Sequence, residues 1–308
     1  MRLKRLLKIF SVVFGLLATA GFLVVEKVLP YTGIKPYRMV AAHNTWRFPN
    51  GFLPQNYDLR GKEVFITTPD SILLKGWFLK TQRDTVRGTV IILHGISSCK
   101  ETQFGRAKIL AERGFNSLAL DLRAHGESGG DYCTFGFYEK HDIAAAVDSV
   151  LRWTNEKPVG IWGASLGAAI ALQTMAMDER IGFGIIESTF DEFEKVAEEY
   201  GADYMLGLRS KYLVQRVISK SAQIAQFDPR AVKPVEAAAT IARPMLFIHG
   251  DADDKIPFEF NRRNFEAVPS ADKHWVTVEG GGHSNLWRLQ GERLSREVGA
   301  FLEQRKWQ

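Results

Sequence analysis

The chain has 308 residues, of which 45% are hydrophobic and 24% are charged, and its formal net charge is +5. This length and balance exclude a disordered segment or a fibre and allow one large domain with a sizeable core. The excess positive charge is concentrated in the first eight residues, at Arg2, Lys4, Arg5 and Lys8. The remainder is near neutral, so nucleic acid is not expected as a partner.

The first predicted element is an apolar helix that directly follows this basic cluster. The run from Ile9 to Val25 contains no charged residue, and about 17 to 25 apolar residues are needed to cross a bilayer. We interpret residues 1–25 as an uncleaved membrane anchor, with the rest of the chain outside the cytoplasm by the positive-inside rule. The alternative is a signal peptide cleaved near Ala20, where Ala-Thr-Ala matches the small-x-small pattern, which would leave a secreted or periplasmic protein.

Residues 26–61 are rich in Pro, Gly, Asn and aromatics without clear periodicity, and they are predicted to form a linker packed against the domain. From Lys62, short apolar runs such as TVIIL and PMLFI alternate with helical patterns. This alternation predicts an α/β domain over 62–308, with a mostly parallel central sheet and helices on both faces. Between about 191 and 242 the strand rhythm stops, and aromatic and aliphatic residues recur at helical spacing. That interval predicts a small helical cap inserted into the domain.

The segment from Gly163 to Gly167 reads GASLG and contains a candidate nucleophile, Ser165. The G-x-S-x-G pattern alone is a modest signal, and a packing serine is the alternative. Here, however, it follows the apolar strand VGIW and opens a helix of Ala, Leu and Met. That strand-turn-helix setting is typical of a nucleophile elbow, in which the serine hydroxyl projects above the sheet.

A serine hydroxyl needs a base to remove its proton, and the base needs an acid to orient it. His283 lies in the glycine-rich segment VEGGGHSN directly after a predicted strand, and it is the best candidate base. His94 and His249 each end a predicted strand and are interpreted as residues that shape turns. The segment that follows His249 offers three candidate acids, Asp251, Asp253 and Asp254.

From roughly Lys62 to Gln304 the chain resembles the alpha/beta-hydrolase superfamily, and the motif around the candidate acids carries much of this resemblance. That family commonly has H-G-x-x-D-x-x-[VI]-P after the corresponding strand. The matching positions here are His249, Gly250, Asp253, Ile256 and Pro257. The resemblance therefore implies Asp253 as the acid, with Asp254 as the fallback, in the Ser, acid, His order of that fold.

Two further segments resemble motifs of the same family. LHGISSCK is similar to its His-Gly oxyanion loop, which implies that the backbone N–H groups of Ile96 and Leu166 hold the oxyanion. DLRAHGES is similar to its D-x-R-G-H-G-x-S turn, with Ala124 in place of the usual glycine. In this turn Asp121, Arg123 and His125 are interpreted as structural.

The resemblance implies a serine hydrolase, most simply a carboxylesterase or lipase-like enzyme that cleaves a small-molecule acyl ester, lipid-derived substrates included, with no metal or organic cofactor. It extends to the serine aminopeptidase and monoacylglycerol lipase branches. A peptidase of this fold would need carboxylates to hold a substrate amine. Those available near the predicted cap are Glu187, Asp191, Glu192 and Glu194. A non-catalytic, membrane-tethered binding module is the third hypothesis.

The two cysteines, Cys99 and Cys133, follow neighbouring core strands in the fold that the resemblance implies. Export would place them in an oxidising compartment, where a disulfide is one alternative and two free thiols the other. A bridge requires that their Cα atoms lie within about 7 Å of each other.

Overall fold

The computed structural model of the chain describes residues 2–154, 158–204 and 210–303. A sheet of eight strands forms its centre, in the order β1-β2-β4-β3-β5-β6-β7-β8. The strands are β1 (Arg60–Thr67), β2 (Leu73–Lys80), β3 (Gly88–Leu93), β4 (Phe115–Leu120), β5 (Val159–Ala164), β6 (Ile181–Glu187), β7 (Met245–Gly250) and β8 (Lys273–Val278). β2 runs antiparallel to both β1 and β4, whereas the pairs from β4 to β8 are parallel. The predicted α/β class is confirmed.

Helices cover both faces of the sheet. They are α3 (Phe104–Glu112), α4 (Glu139–Thr154), α5 (Leu166–Met177), α9 (Phe258–Ala267) and α10 (Leu286–Glu303). The apolar run of β3 shows how they share the sheet: Ile91 and Leu93 join the core beneath α4, α5 and α9, whereas Val90 and Ile92 join the core beneath α3 and α10. Successive strand residues point to opposite faces, so a parallel strand covered on both sides must be apolar throughout.

Within residues 191–204 and 210–242, where a cap is predicted between β6 and β7, the structure has three α-helices. They are α6 (Phe193–Tyr204), α7 (Lys211–Ala225) and α8 (Pro234–Ala238). α7 is amphipathic, and its buried residues Val214 and Ile218 belong to the same hydrophobic cluster as α4 and α5. The insertion therefore packs directly on the main core, above the carboxyl end of β6.

The N-terminal helix is longer than the apolar run of the sequence. α1 (Arg2–Leu23) continues through a π-helical turn (Val24–Val28) into α2 (Leu29–Ile34). The segment Leu3–Ile34 is long and apolar enough to cross a membrane, and its most apolar window is not covered by the rest of the described chain. A core helix of a soluble domain would be covered by neighbouring elements.

The sequence pattern places the end of the anchor at Val25 and a linker after it, whereas the helix continues to Ile34. The extension is held by α7. Glu26 forms ion pairs with Arg216, at 2.5 Å, and with Lys220, at 3.5 Å. The Ser221 hydroxyl donates a hydrogen bond to the carbonyl of Pro30 at 2.7 Å. These partners are distant in sequence, so a local pattern does not reveal them.

Cys99 and Cys133 are both buried, free thiols, so the disulfide alternative is not formed in this structure. Cys99 packs with Met39 and Phe48, while Cys133 belongs to the main core and donates its backbone N–H to the carbonyl of Ile34. Burial raises the pKa of each thiol above its ordinary value. Each cysteine fills a site of its own in the interior.

Candidate active site

Ser165 occupies a strained turn between β5 and α5. Its backbone has φ 54° and ψ −118°, a left-handed conformation that costs a residue with a Cβ about 1 to 3 kcal/mol. Two hydrogen bonds hold it: the Ser165 N–H donates to the Glu187 carbonyl at 2.8 Å, and the Thr189 hydroxyl donates to the Ser165 carbonyl at 2.9 Å. The turn is therefore fixed by residues at the end of the neighbouring strand β6 and just after it.

The two glycines that flank this turn allow close packing of backbone segments. A Cβ on Gly167 would lie 2.4 Å from the carbonyl oxygen of Leu93, and one on Gly163 would lie 2.3 Å from the carbonyl oxygen of Gly167. The obstructing atoms are backbone, which cannot rotate away as a side chain can. The glycines of the motif thus let α5 start directly against β3 and β5.

We expect Gly167→Ala to lower the free energy of unfolding by about 1 to 3 kcal/mol, because the added methyl group must push α5 away from β3. Urea unfolding of the protein in detergent measures this change. Gly105→Ala is the matched control: Gly105 lies in helix α3 with nothing within 4 Å of the position of a Cβ, so it should be neutral or slightly stabilising. Equal free energies of unfolding for the two variants would show that the close backbone contact at Gly167 does not contribute to stability.

The structure brings Ser165, His283 and Asp253 together at the carboxyl edge of the parallel strands. His283, on the loop between β8 and α10, has its Nε2 3.0 Å from the Ser165 Oγ and its Nδ1 2.8 Å from the Asp253 Oδ2. An imidazole with its proton on Nδ1 can accept the serine proton at Nε2. This is the geometry of an activated hydroxyl.

The carboxylate of Asp253 is fully buried and saturated with donors. Its Oδ1 accepts from the backbone N–H groups of Lys255 and Ile256 at 3.0 and 2.9 Å. The Nε2 of His249 lies 3.3 Å from its Oδ2. Burial alone would raise the pKa of Asp253, but the hydrogen bonds with His249 and His283 outweigh it and hold the pKa well below its usual range. The carboxylate is therefore ionised wherever the protein is folded at moderate pH.

The other two candidate acids do not reach His283. Asp254 is exposed, and so is Asp251, which accepts the backbone N–H of Gly280 at 2.7 Å.

The loop after β3 lies against Ser165. A Cβ on Gly95 would be 3.4 Å from the Cβ of Ser165, and Ile96, Ser165 and Leu166 line one cavity. Leu166 is the first residue of α5, where backbone N–H groups have no partner within the helix and the helix dipole is positive. The two residues expected to form the oxyanion hole thus line the same cavity as Ser165.

His94 holds this loop in place and is not part of the proton path. The backbone N–H of Leu122 donates to its Nε2 at 3.1 Å, so the proton must be on Nδ1, which donates to the Gly95 carbonyl at 2.7 Å. Burial lowers the pKa of His94 to about 4, so the ring is neutral. His94 therefore shapes the turn.

The turn 121–128 supports the same loop through a buried lysine. Asp121 accepts the backbone N–H and the Nζ of Lys100, at 2.7 and 2.9 Å, and the backbone N–H of Glu127 at 3.0 Å. The Lys100 ammonium also pairs with Glu101 and Glu127. The sequence pattern does not identify Lys100, because a lysine in the loop after an apolar strand carries no sign that it is buried. Ala124, at the family's glycine position, has φ 59°, which explains why glycine suits that position.

Two cavities meet at Ser165. The larger, of about 230 Å³, is mainly apolar and is walled by α2, the loop after β3, α6 and α7. The smaller, of about 110 Å³, is lined by a different set of residues, among them Arg106, Glu187, Ser188, His283 and Trp287. Ser165 thus lines both an apolar and a more polar cavity.

Three comparisons relate the chain to known proteins. The family model described as serine aminopeptidase, S33, matches residues 84–190, a stretch that includes Ser165 and ends before Asp253. Protein YqkD of Bacillus subtilis is 29% identical over 219 residues, which cover 70% of this chain and 71% of YqkD. Protein YfhR of Escherichia coli K12 is 26% identical over 243 residues, covering 77% and 78% of the two chains.

Among solved structures, the esterase Pf2001 of Pyrococcus furiosus superposes with a TM-score of 0.70 at 25% identity, covering 88% of this chain and 99% of the esterase. A ferulic acid complex of Est1E from Butyrivibrio proteoclasticus, with a TM-score of 0.61 at 20% identity, shares the fold. The mostly parallel sheet, the serine turn and these matches show that the chain has the alpha/beta-hydrolase fold and is similar to members of the alpha/beta-hydrolase superfamily.

Proposed function

We propose that the protein is a serine hydrolase that cleaves an acyl ester through an acyl-enzyme intermediate. The observation that carries the proposal is the hydrogen-bonded series from the Ser165 Oγ through His283 to Asp253, at 3.0 and 2.8 Å. Ester hydrolysis requires only such a triad and two oxyanion donors, and it requires no cofactor.

In the first half-reaction, His283 Nε2 takes the proton of Ser165 as the serine oxygen attacks the acyl carbonyl carbon. The N–H groups of Ile96 and Leu166 donate to the oxygen that becomes negative, and Asp253 stabilises the imidazolium. The imidazolium then passes its proton to the leaving alkoxide oxygen, and the carbon–oxygen bond to the alcohol breaks. In the second half-reaction, His283 takes a proton from a water molecule, whose oxygen attacks the carbonyl carbon of the acyl-serine. The bond between this carbon and the Ser165 Oγ breaks, His283 returns the proton to Oγ, and the acid is released.

The two cavities suggest which part of the substrate lies where. The larger cavity is walled by aliphatic and aromatic side chains such as Phe135, Val196 and Val217, which suit an acyl chain. In the smaller one, the Ser188 hydroxyl is buried and has no hydrogen-bond partner among the described residues. A buried polar group without a partner is costly, and a hydroxyl of the leaving alcohol would satisfy it. A small polar alcohol is therefore the favoured leaving group.

The aminopeptidase alternative needs a free carboxylate near Ser165. Glu187 is the one that lines a cavity at the nucleophile, but it already accepts hydrogen bonds from Arg106, Trp162 and Trp287. Asp191 is paired with Lys195 and Arg263. Glu192 is paired with Lys195, and Glu194 is not among the residues lining either cavity. These pairings favour the ester over the peptide substrate.

Labelling with a fluorophosphonate tests the proposal, because this reagent phosphonylates only an activated serine. We expect stoichiometric modification of the full-length folded protein, located at Ser165 by peptide mass spectrometry. Protein denatured beforehand serves as the control and should not react. Failure of the folded protein to react would favour the non-catalytic binding module.

A further inference from the structure

The N-terminal helix lines one side of the apolar cavity at Ser165. Leu29, Thr32, Gly33 and Ile34 of α2 line it together with residues of α7 such as Val217. A helix that serves only as a membrane anchor is not expected to line the cavity at the proposed nucleophile. Here the same continuous helical segment carries the apolar run and closes the pocket.

The spacing along the helix places the cavity close to the hydrocarbon. With the apolar run ending at Val25 and a rise of about 1.5 Å per residue, Leu29 lies about 6 Å and Ile34 about 13 Å beyond the run. The headgroup region on each side of a bilayer is about 5 to 8 Å thick. If α1 spans the membrane, the cavity wall begins at headgroup depth.

The surface next to this wall has the composition of a membrane interface. Tyr31 on α2 and Tyr212 on α7 are exposed, the latter by 79%, and Lys211 beside it is also exposed. Tyrosine prefers headgroup depth, and lysine is attracted by anionic headgroups. α7 is tied to the end of the apolar run by the ion pair between Arg216 and Glu26. α2 and α7, two of the helices that line the cavity, are thus the ones that would contact the bilayer.

We propose that the substrate is a membrane-resident ester with one long acyl chain, and that this chain passes from the bilayer into the cavity between α2 and α7. The inference rests on the proposed function, since it concerns the substrate of the same site. A volume of about 230 Å³ lies below the usual range of about 300 to 1,000 Å³ for ligand pockets, which fits one slender chain and not two. The N-terminal helix is then a part of the binding site as well as an anchor.

A vesicle assay with the full-length protein tests the route. The protein is reconstituted into phosphatidylcholine vesicles, and 4-methylumbelliferyl oleate is placed either in the same vesicles or in a separate population. We expect an initial rate at least about tenfold higher in the first arrangement, because only substrate in the separate vesicles must first desorb into water. Equal initial rates would overturn lateral entry.

A pair of glycine variants tests the wall. A Cβ on Gly33 would lie 3.7 Å from the Phe135 ring, an ordinary contact, so a larger side chain there extends into the cavity. We expect Gly33→Leu to lower the ratio of kcat/KM for the oleate ester to that for the butyrate ester at least about tenfold. Gly21→Leu, on the same helix with nothing near its Cβ position, should leave the ratio unchanged. Should Gly33→Leu not fold, Gly33→Ala should shift the ratio in the same direction by a smaller factor.

Turnover of the butyrate ester and labelling by the fluorophosphonate distinguish a failure of the proposed function from a failure of the proposed substrate route. Loss of both butyrate turnover and Ser165 labelling in the parent protein would overturn the proposed function itself. If the parent turns over butyrate but the folded Gly33 variants keep its oleate-to-butyrate ratio, only the role of α2 as a wall is refuted.

Discussion

Ser165→Ala is expected to lower kcat/KM for 4-methylumbelliferyl butyrate by about 10⁴-fold or more, to the level of the uncatalysed rate plus what binding and the oxyanion donors supply. In the proposed mechanism the Ser165 Oγ forms the bond to the acyl group, and it lies 3.0 Å from the His283 Nε2. An alanine side chain has no oxygen to take over this role. A methyl group occupies less space than the hydroxymethyl group and keeps the same backbone. The thermal midpoint should therefore change little.

The control for this experiment is Ser219→Ala, which removes an exposed hydroxyl from α7. It should leave both turnover and the thermal midpoint at parental values. A Ser165→Ala protein that kept a tenth of the parental activity would show that another group is the nucleophile.

Asp253→Asn is expected to lower kcat by about 10³- to 10⁴-fold, whereas Asp254→Asn should have an effect of less than about twofold. The buried carboxylate accepts the Nδ1–H of His283 at 2.8 Å. An amide at this position can present its NH₂ group instead, which favours the ring tautomer with the proton on Nε2. That tautomer cannot accept the serine proton.

The amide oxygen introduced by Asp253→Asn can still accept the backbone N–H groups of Lys255 and Ile256, which the Asp253 Oδ1 accepts at 3.0 and 2.9 Å. The variant should therefore fold, and circular dichroism together with kcat at pH 7 separates a catalytic loss from unfolding. Asp254 is exposed, so Asp254→Asn makes the same chemical change at the neighbouring residue and serves as the matched control. The reverse ranking of the two variants would transfer the acid role to Asp254.

The local pattern of the sequence determined the fold class and located the serine elbow. The continuous apolar runs that became β3 and β7, and the glycines at 163 and 167, are features of neighbouring residues, so they can be recognised without knowing what packs on them. Period and turn chemistry are local properties of a chain. The resemblance of the segment after β7 then singled out Asp253, and the structure places that residue at His283.

The tertiary structure decided which groups are partnered. Glu187 is a candidate amine site in the sequence, but Arg106 and two indole N–H groups from distant segments occupy it. Lys100 is buried because Asp121 and Glu127 converge on it. The N-terminal helix continues to Ile34 and walls the cavity because α7, almost two hundred residues later, pairs with Glu26. Such pairings depend on which segments, distant in sequence, meet in the folded protein. The free energy of a buried charge or of an extended helix depends on these contacts, and the sequence alone does not show which contacts form.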